Sequence, residues 1–587
     1  SGIMFRPLGW IVTLVVTTST IAALTLTPML SSQMLRKNPP RKKGAVKWVF
    51  DGIERFLGGL DNFYERTLIF AVHRRVLIVV VSVVVFVGSL FLVPLVGTEF
   101  FPPSDNAQIA ATVELQQGVN IDQTRVVARK LEDLILEKYP EVELVSTSAG
   151  SAQEGNIWAA FGDNGPHVIN FYLKLTPSVE RERDMYLLSD LLRADMAAIP
   201  EIEDFRVDAG GGDGGMGSGA SSVEVIISGY DLDETNRLAN EMAEVMRGMG
   251  SLRDIDISRK ASGVEYQLVL DREKLGVHGL TTAQVAMALR NRITGMTAAQ
   301  FREDGEEYDI VVRYDEQFRE SLTEIENILV PNNQGVFVRL SEVGRLEEYF
   351  APPSIERENR QRIVRVTGTL YEASIRDVVA DLRDSFAQLE VPAGVVMDIG
   401  GTVEEQQEAF ADILLLFGLV VLLVYIVMAS QFESLRSPLI IMLTLPFAFT
   451  GVFLALFLTG QTLNLISLIG SVMLVGIVVK NGIVLVDYTN LMRDRGLSLI
   501  QAVVVSGKSR LRPILMTTLT TALAMVPLAM GIGEGSEIWQ PMGISIIGGL
   551  MFSTMITLIL IPVVYTLFGA NRMRREKQRA LQMEEEI

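Results

Sequence analysis

A lysine lies in the middle of an apolar run that is long enough to cross a membrane. Lys480 falls within residues 465–486, LISLIGSVMLVGIVVKNGIVLV, which match the roughly 20 residues that span a hydrocarbon core. An ammonium group at such a depth costs about 2.5–3.5 kcal/mol on insertion scales. We therefore expect Lys480 either to pair with an anion or to snorkel toward the lipid surface.

The nearest acidic residue of the same run is poorly placed to be that anion. Asp487 follows Lys480 by two helical turns, which puts it about 10 Å away along the same helix face. A buried lysine needs an anion close by, or it gives up its proton. The chain therefore carries a membrane cation without an obvious counter-ion.

A second polar feature is a cluster of threonines in the apolar run 513–531. Its members are Thr517, Thr518, Thr520 and Thr521. A threonine hydroxyl inside a membrane helix commonly donates to a carbonyl of the preceding turn. This back-bonding is the simplest interpretation of the cluster.

Composition excludes several classes of chemistry. The 587 residues include no cysteine, so disulfides, thiolate metal sites and thiol nucleophiles are excluded. The three histidines, His73, His167 and His278, lie far apart in sequence, which argues against a histidine-rich metal site. A net charge of −18 argues against nucleic acid as a partner. Hydrophobic residues make up 49% and charged residues 21%, so a membrane part and a water-exposed part must coexist.

Seven apolar segments are predicted to cross the membrane. They lie at roughly 8–30, 76–97, 410–429, 437–459, 464–487, 513–531 and 541–568. The first is longer than the core of a signal peptide and ends in a basic stop-transfer pattern, so we interpret it as a membrane helix. The sequence does not begin with methionine, which fits a fragment of a longer protein.

Basic residues in short loops predict the orientation of these segments. If the spans alternate, the loops rich in lysine and arginine all fall on one side, which is then cytoplasmic; they are residues 36–47, 74–75, 493–512 and 572–579. Residues 98–405 then lie outside. Between the first two spans, residues 45–66 are amphipathic at helical spacing, which predicts a helix on the cytoplasmic membrane face. A surface helix packed on protein is the alternative.

The external region contains an internal repeat of a strand–helix–strand unit. The first copy is a strand at 108–116, a helix at 122–140 and strands at 141–149 and 167–175. A second copy follows the glycine-rich joint at 209–220. A third block begins near residue 264 and contains a hairpin at 297–314 with an Asp-Gly turn. The last block returns to strand, helix and strand before the third span.

Six motifs, in order, resemble the resistance–nodulation–division (RND) family of proton-driven exporters, and most closely its hydrophobe/amphiphile efflux (AcrB-type) branch. They are LTPML, GTEFFPPSDNAQIAATVELQQG, DREKLGVHGLT, ASQFESLRSPLIIMLTLPFAFTG, VGIVVKNGIVLVDY and SRLRPILMTTLTTALAMVPLAMG. The family pattern has twelve spans in two halves, and this chain resembles the C-terminal half. The resemblance implies an α-helical membrane bundle plus an α+β periplasmic domain, built from repeated βαβ porter subdomains and a docking subdomain.

The resemblance also implies a division of the chain into domains. The membrane parts are a helix at 1–35, a cytoplasmic interfacial segment at 36–75, a helix at 76–97, a five-helix region at 406–569 and a cytoplasmic tail at 570–587. The first porter subdomain is expected at 98–221. The second is expected at 222–263 together with 342–405, with the docking subdomain at 264–341 between them.

Carried over residue by residue, the resemblance assigns a proton relay. Lys480 matches the membrane lysine that faces paired aspartates in the half that this sequence does not contain. Thr517, in RPILMTT, matches the relay threonine, and Arg510, in SRLRP, matches an arginine at its cytoplasmic end. Anchoring by the positive-inside rule is the alternative for Arg510. Asn481 and Ser471, on the same span as Lys480, are weaker candidates.

A substrate path is expected in the external region. In the family's drug pumps, phenylalanines surround a flexible loop of the first porter subdomain, which corresponds here to residues 148–166. This loop carries Glu154, Ile157, Trp158, Phe161 and Asp163, and Phe171 follows it. Aromatic side chains on a glycine-rich loop suit an adaptable apolar site. Its first half is alanine, glycine, serine and glutamine, unlike the drug pumps, and core packing is the alternative for Trp158 and Phe171.

We therefore expect a secondary transporter rather than an enzyme, with no cofactor. The predicted function is proton-driven multidrug efflux of hydrophobic or amphiphilic compounds by a homotrimer in a bacterial inner membrane. The resemblance implies a periplasmic adaptor protein and an outer-membrane channel as partners. The alternatives are a specialised exporter of lipid or metal ions, which the 24 methionines invite, and a truncated pump half that does not transport.

Overall fold

A computed structural model of the chain describes residues 2–34, 45–102, 104–150, 165–210, 222–259, 264–350, 355–371, 373–533 and 535–585. It begins with four helices: α1 (Gly2–Met34), α2 (Ala45–His73), α3 (Arg75–Leu90) and α4 (Val93–Val96). Within the described residues, seven helices are long and apolar enough to cross a membrane. Each overlaps one of the segments expected from the sequence.

The first external subdomain is one four-stranded sheet with two helices. Its elements are β1 (Gln108–Leu115), α5 (Ile121–Lys138), β2 (Val142–Gly150), β3 (Gly165–Leu175), α6 (Met185–Ala197) and β4 (Ile202–Ala209). The strand order is β2-β3-β1-β4, and all neighbours are antiparallel. β1 and β2 are therefore parallel with β3 between them, which is the split βαβ arrangement of ferredoxin-like folds.

Alternation and capping explain these elements. In β1, odd and even side chains alternate between partly exposed and buried, which is the period of a half-buried strand. The side chain of Asn120 accepts the backbone N–H of Asp122 and so caps the start of α5. Fully buried Val113, Leu131 and Ile169 join the sheet to the helix in one apolar core.

The remaining external elements belong to two further units. In chain order they are β5 (Ser222–Ser228), α7 (Leu232–Gly248), β6 (Leu252–Ile257), β7 (Val264–Leu270), α8 (Arg272–Val277), α9 (Thr282–Ile293), β8 (Met296–Glu303), β9 (Glu306–Val312), α10 (Leu322–Glu326), β10 (Leu329–Pro331), β11 (Phe337–Arg339), α11 (Leu340–Val343), β12 (Gly344–Phe350), β13 (Glu356–Glu358), β14 (Gln361–Leu370), α12 (Ile375–Phe386) and β15 (Val396–Gly401).

The second sheet repeats the topology of the first. Its path is β13-β14-β5-β15, with β6 also paired to β14, so β5, β6, β14 and β15 occupy the positions of β1 to β4. β7 and β12 form a separate two-stranded sheet, in which Gly344 lies opposite Leu270. This ladder runs to Phe350, past residue 341 where the docking subdomain was expected to end, and the expected domain bounds stay predictions.

The C-terminal helices form the membrane bundle. They are α13 (Thr402–Phe432), α14 (Arg436–Met442), α15 (Leu445–Thr459), α16 (Leu465–Asp494), α17 (Leu499–Ala529) and α18 (Gln540–Glu585). The fourth predicted span is interrupted between α14 and α15. Pro446 lies in the first turn of α15, where proline is tolerated because the N–H it lacks would have no partner within the helix. α18 packs against α15, α16 and α17 and forms the centre of the bundle.

Helix α2 has one side against the helix bundle and another side exposed. Its C-terminal half packs on protein: Tyr64, Leu68 and Val72 are buried in the same core as the bundle. Phe63 and Phe70 lie exposed on its other side. Of these buried residues only Tyr64 falls within 45–66, where Phe56 and Phe63 stay exposed, so the helix expected there on the cytoplasmic membrane face stays a prediction.

Candidate functional site

A buried polar contact joins three helices at the level of Lys480. The amide nitrogen of Asn481, on α16, lies 3.3 Å from the hydroxyl of Thr518 on α17 and 3.2 Å from the hydroxyl of Thr554 on α18. The two hydroxyls lie 3.2 Å from each other. Asn481, Thr518 and Thr554 are 5%, 3% and 2% exposed, so this three-helix contact is closed to solvent.

The partners in the three-helix contact favour one direction for its hydroxyl hydrogen bonds. Thr554 donates its hydroxyl proton to the carbonyl of Leu550 at 2.7 Å, so it accepts from both Asn481 and Thr518. The amide of Asn481 donates toward both hydroxyls, and Thr518 then donates to Thr554. Asn481 therefore acts in this structure as a link that holds α16, α17 and α18 together.

Lys480 lies next to Asn481 but on another side of α16. Gly476, Lys480, Asp487 and Leu491 are all exposed, and their spacing of four, seven and four residues places them on one helix face. Lys480 makes no hydrogen bond or ion pair with any residue that the structure describes. The expectation that the Lys480 ammonium is buried is wrong for the chain as described. Lys480 lies at the middle of α16, on a face that no described element covers.

Three of the four clustered threonines bond to their own helix. Thr517 donates to the carbonyl of Ile514 at 2.9 Å. Thr520 and Thr521 donate to carbonyls four residues earlier. Thr518 is the member that reaches other helices. The structure thus places Thr517, the residue assigned to the relay, in the back-bonded arrangement and half-buried, and it does not bring Thr517 into contact with Lys480.

Arg510 lies against an aromatic ring. Its guanidinium carbon is 4.2 Å from the ring centroid of Tyr488 on α16. Its Nε is buried and has no hydrogen-bond partner among the described residues. Tyr488 was missed in the sequence analysis because its contact with Arg510 joins residues on two helices.

The other two basic side chains near Arg510 face helix α2. Lys508 Nζ is 2.6 Å from Glu65 Oε2, and Arg512 Nη2 is 2.7 Å from Asp61 Oδ2. Between these pairs, the hydroxyl of Tyr64 donates to the carbonyl of Leu558 at 2.7 Å. Lys508 and Arg512 therefore anchor α17 to α2, beyond any effect of their charge on topology.

Ser471 is committed to its own helix. It is 2% exposed and donates to the carbonyl of Ser467 at 2.9 Å. It also borders an apolar groove of about 600 Å³ among α3, α13, α15 and α16. Phenylalanines and leucines supply most of the walls of this groove, among them Phe86, Phe417 and Phe449.

The external candidates divide into two groups. Glu154, Ile157, Trp158, Phe161 and Asp163 lie outside the described residues. Phe171 is described, and the structure places it inside the first subdomain: it is 2% exposed in the middle of β3, opposite Ala111 on β1 and Thr147 on β2. Its position corresponds to core packing, the alternative raised from the sequence, rather than to the wall of an open path.

Replacing Phe171 with alanine is expected to lower the free energy of unfolding of the chain by about 3–5 kcal/mol, because it leaves a cavity in a closed core. Tyr172→Ala, at the neighbouring position on the opposite face and 37% exposed, is the matched control with a much smaller expected loss. Thermal unfolding in detergent measures both. Equal losses for the two variants would contradict the core assignment.

The described residues contain no group of three or more histidine, cysteine, aspartate or glutamate side chains that could hold a metal ion. A partly buried carboxyl group lies just after α4. Burial raises the pKa of Glu99, and a hydrogen bond from Thr462 at 2.8 Å partly opposes this shift. The contact ties the segment that follows α4 to the turn between α15 and α16.

A profile of the AcrB/AcrD/AcrF family matches residues 1–569. The chain belongs to the AcrB/AcrD/AcrF family. Curated relatives include the swarming motility protein SwrC of Bacillus subtilis, which is 27% identical over 575 residues, with 98% of this chain and 53% of SwrC covered. Multidrug resistance protein MdtC of Serratia proteamaculans is 28% identical, with 99% of this chain and 55% of MdtC covered.

Other relatives of this AcrB/AcrD/AcrF family member are named for metals. The cobalt-zinc-cadmium resistance protein CzcA of Cupriavidus metallidurans is 27% identical over 577 residues, with 96% of this chain and 53% of CzcA covered. A crystal structure of a heavy metal efflux pump superposes with a TM-score of 0.70 at 26% identity, over 87% of this chain and 52% of the pump.

The chain spans about half the length of the curated relatives it matches. The RND family, which includes the AcrB/AcrD/AcrF proteins, consists of efflux transporters of the inner membrane with periplasmic domains, and the apolar helices of this chain agree with that setting. Because the relatives are named both for drugs and for metals, their names leave the class of substrate open.

Proposed function

We propose that the chain forms the C-terminal half of a proton-driven inner-membrane exporter of hydrophobic or amphiphilic compounds. The working pump is a homotrimer that contacts a periplasmic adaptor protein and an outer-membrane channel. A further polypeptide segment, which supplies carboxylates at membrane depth, covers the exposed face of α16. Membership of an efflux family over almost the whole chain supports this proposal.

One observation supports the proposed coupling of export to proton movement. Lys480 lies at the middle of α16, on the same exposed face as Gly476 and Asp487, and has no anion among the described residues. An ammonium at that depth is unfavourable unless it pairs with an anion or lies in a water-filled cavity. A carboxylate pair that gains and loses protons beside this lysine would change which contacts form, and so drive a two-state rearrangement.

Thr517 and Arg510 are assigned to the same proton route. Thr517 is half-buried and needs only to release its bond to Ile514 to offer its hydroxyl to another group. Arg510 supplies a positive charge seven residues before it on α17. Asn481, the weaker relay candidate, is proposed to hold α16 in register with α17 and α18 through its contacts with Thr518 and Thr554.

The proposed substrates are amphiphiles rather than metal ions. The 600 Å³ groove at membrane depth has almost entirely apolar walls, and Trp158, Phe161, Ile157 and Glu154 are proposed to form an aromatic, mildly acidic site in the external loop. The metal-exporting alternative is favoured by the names of CzcA and the superposed pump. Methionine thioethers would have to bind a soft ion in that case.

Export from bacterial cells stripped of their own pumps tests these functions. The chain is expressed alone and together with the polypeptide that its genome encodes to complete it, and survival is scored against dyes, detergents, bile salts, copper and zinc. Protection against amphiphiles in the completed pump is the expected result. Protection against metals alone would establish the metal exporter, and no protection in any combination would establish a pump half that does not transport.

A further inference from the structure

Arg510 contacts the aromatic ring of Tyr488 instead of pairing with a carboxylate. The guanidinium carbon lies 4.2 Å from the ring centroid of Tyr488, within the range of a cation–π interaction. Asp487 is the neighbouring residue on α16, yet it is exposed and makes no ion pair with any described residue. Arg510 is thus held by a ring although a carboxylate lies next to that ring in sequence.

A ring and a carboxylate have different consequences for the arginine. A carboxylate at hydrogen-bond distance would neutralise the guanidinium and occupy its fork of donors. An aromatic face attracts the cation without adding a negative charge or accepting its in-plane hydrogens. In this structure Arg510 Nε is buried and has no hydrogen-bond partner among the described residues, so no described carboxylate neutralises the guanidinium at that atom.

Contacts between the surrounding helices fix the backbone near Arg510, but they do not fix the direction of its side chain. The three-helix contact at Asn481 and Thr518 pins α16 to α17 about two turns away. Lys508 and Arg512, on either side of Arg510, hold α17 against Glu65 and Asp61 of α2. The contact with the Tyr488 ring is therefore the interaction that sets the direction of the Arg510 side chain.

We propose that Tyr488 is the positioning residue of Arg510: it holds the guanidinium at the cytoplasmic end of the proton route with its charge un-neutralised. This inference rests on the proposed function for the role of Arg510, but the contact itself is independent of transport. Two experiments separate the two claims.

The first experiment measures the contact in the purified chain. Thermal midpoints are recorded for Tyr488→Leu, Arg510→Gln and the double variant. If the two side chains hold each other, the double variant unfolds near the temperature of the worse single variant instead of at the sum of the two shifts. Tyr488→Leu combined with Arg512→Gln is the matched control, in which the shifts add because Arg512 binds Asp61. Additive shifts in both pairs would overturn the contact.

The second experiment measures export by the completed pump. Tyr488→Phe keeps the aromatic face and is expected to export at close to the normal maximal rate. Tyr488→Leu is expected to lower the maximal rate severalfold without changing the substrate concentration at half saturation, because the external binding site is untouched. Tyr488→Glu is expected to lower the maximal rate further, since a carboxylate beside Arg510 neutralises it.

The combined outcomes are distinct. Normal export by Tyr488→Leu, with a non-additive thermal cycle, would keep the contact but remove Arg510 from the proton route, which contradicts the positioning role and that part of the proposed function. Normal export by Tyr488→Glu would show that an un-neutralised guanidinium is not required, and would overturn the inference even if Tyr488→Leu is impaired. An equal defect in Tyr488→Phe and Tyr488→Leu would assign the effect to the hydroxyl group instead of the ring.

Discussion

Cells that carry the completed pump with Lys480→Ala are expected to be as sensitive to amphiphilic compounds as cells with no pump. Lys480 is the ammonium that stands at mid-helix depth on the exposed face of α16, and its removal deletes the charge that a cycling carboxylate needs as its alternative contact. The measurement is efflux of a fluorescent dye from energised cells, with the amount of trimer in the membrane checked by cross-linking.

The folded chain itself is expected to tolerate this substitution. Lys480 makes no hydrogen bond or ion pair with the described residues, so Lys480→Ala in the purified chain is expected to unfold at an unchanged temperature. Lys508→Ala is the matched control, because it removes a lysine from the adjacent helix that binds Glu65. We expect it to lower stability slightly, as partly exposed ion pairs contribute about 0–1 kcal/mol, and to retain export. Normal export by Lys480→Ala would remove the proton-coupling assignment.

The membrane helices and most external strands were predictable because their signals are local. Runs of about twenty apolar residues predict spans, and the seven described helices of that kind follow the expected segments. The alternation in 108–116 predicts a half-buried strand, and β1 covers Gln108–Leu115. The break at Pro446 also has a local cause, but it was missed because the apolar run continues through it.

Contacts between distant segments were not predictable from the same signals. The partner of Asn481 on α18, Thr554, lies 73 residues away, and nothing in the local pattern marks that threonine among others in α18. The sequence around Phe171 fits both a binding-site aromatic and a core residue. Only the pairing of β3 with both β1 and β2 shows that Phe171 lies in the core. Lys508 and Arg512 fit the positive-inside rule, and only the packing of α2 shows that they also form ion pairs.

The proposed proton route depends both on local sequence signals and on contacts between distant segments. Lys480 could be selected from sequence because a charge inside a span is costly wherever the helix lies. The outward direction of Lys480 and the inward direction of Asn481 depend on which faces of α16 meet α17 and α18. Successive side chains on a helix differ in direction by about 100°. Lys480 is therefore exposed, whereas Asn481, the next residue, is buried against α17 and α18.

Gly548→Ala is expected to lower the stability of the helix bundle. A Cβ at Gly548, on α18, would lie 2.2 Å from the Cβ of Ala455 and 2.7 Å from the carbonyl oxygen of Gly451, both on α15. Backbone cannot move aside as a flexible side chain can, so α15 and α18 must separate. Overpacking of this kind costs typically about 1–3 kcal/mol. Thermal unfolding of the purified chain in detergent measures the loss.

Gly418→Ala is the matched control, and its expected shift has the opposite sign. Gly418 lies in the middle of α13, where an added Cβ would meet nothing within 4 Å. Both substitutions gain the same helix propensity, up to about 1 kcal/mol for glycine to alanine, so only the local contact distinguishes them. A midpoint that rises for Gly418→Ala and falls for Gly548→Ala would establish that close approach of α15 and α18, rather than helix propensity, requires glycine at 548. A rise for both would mean that the two helices do not pack at backbone distance.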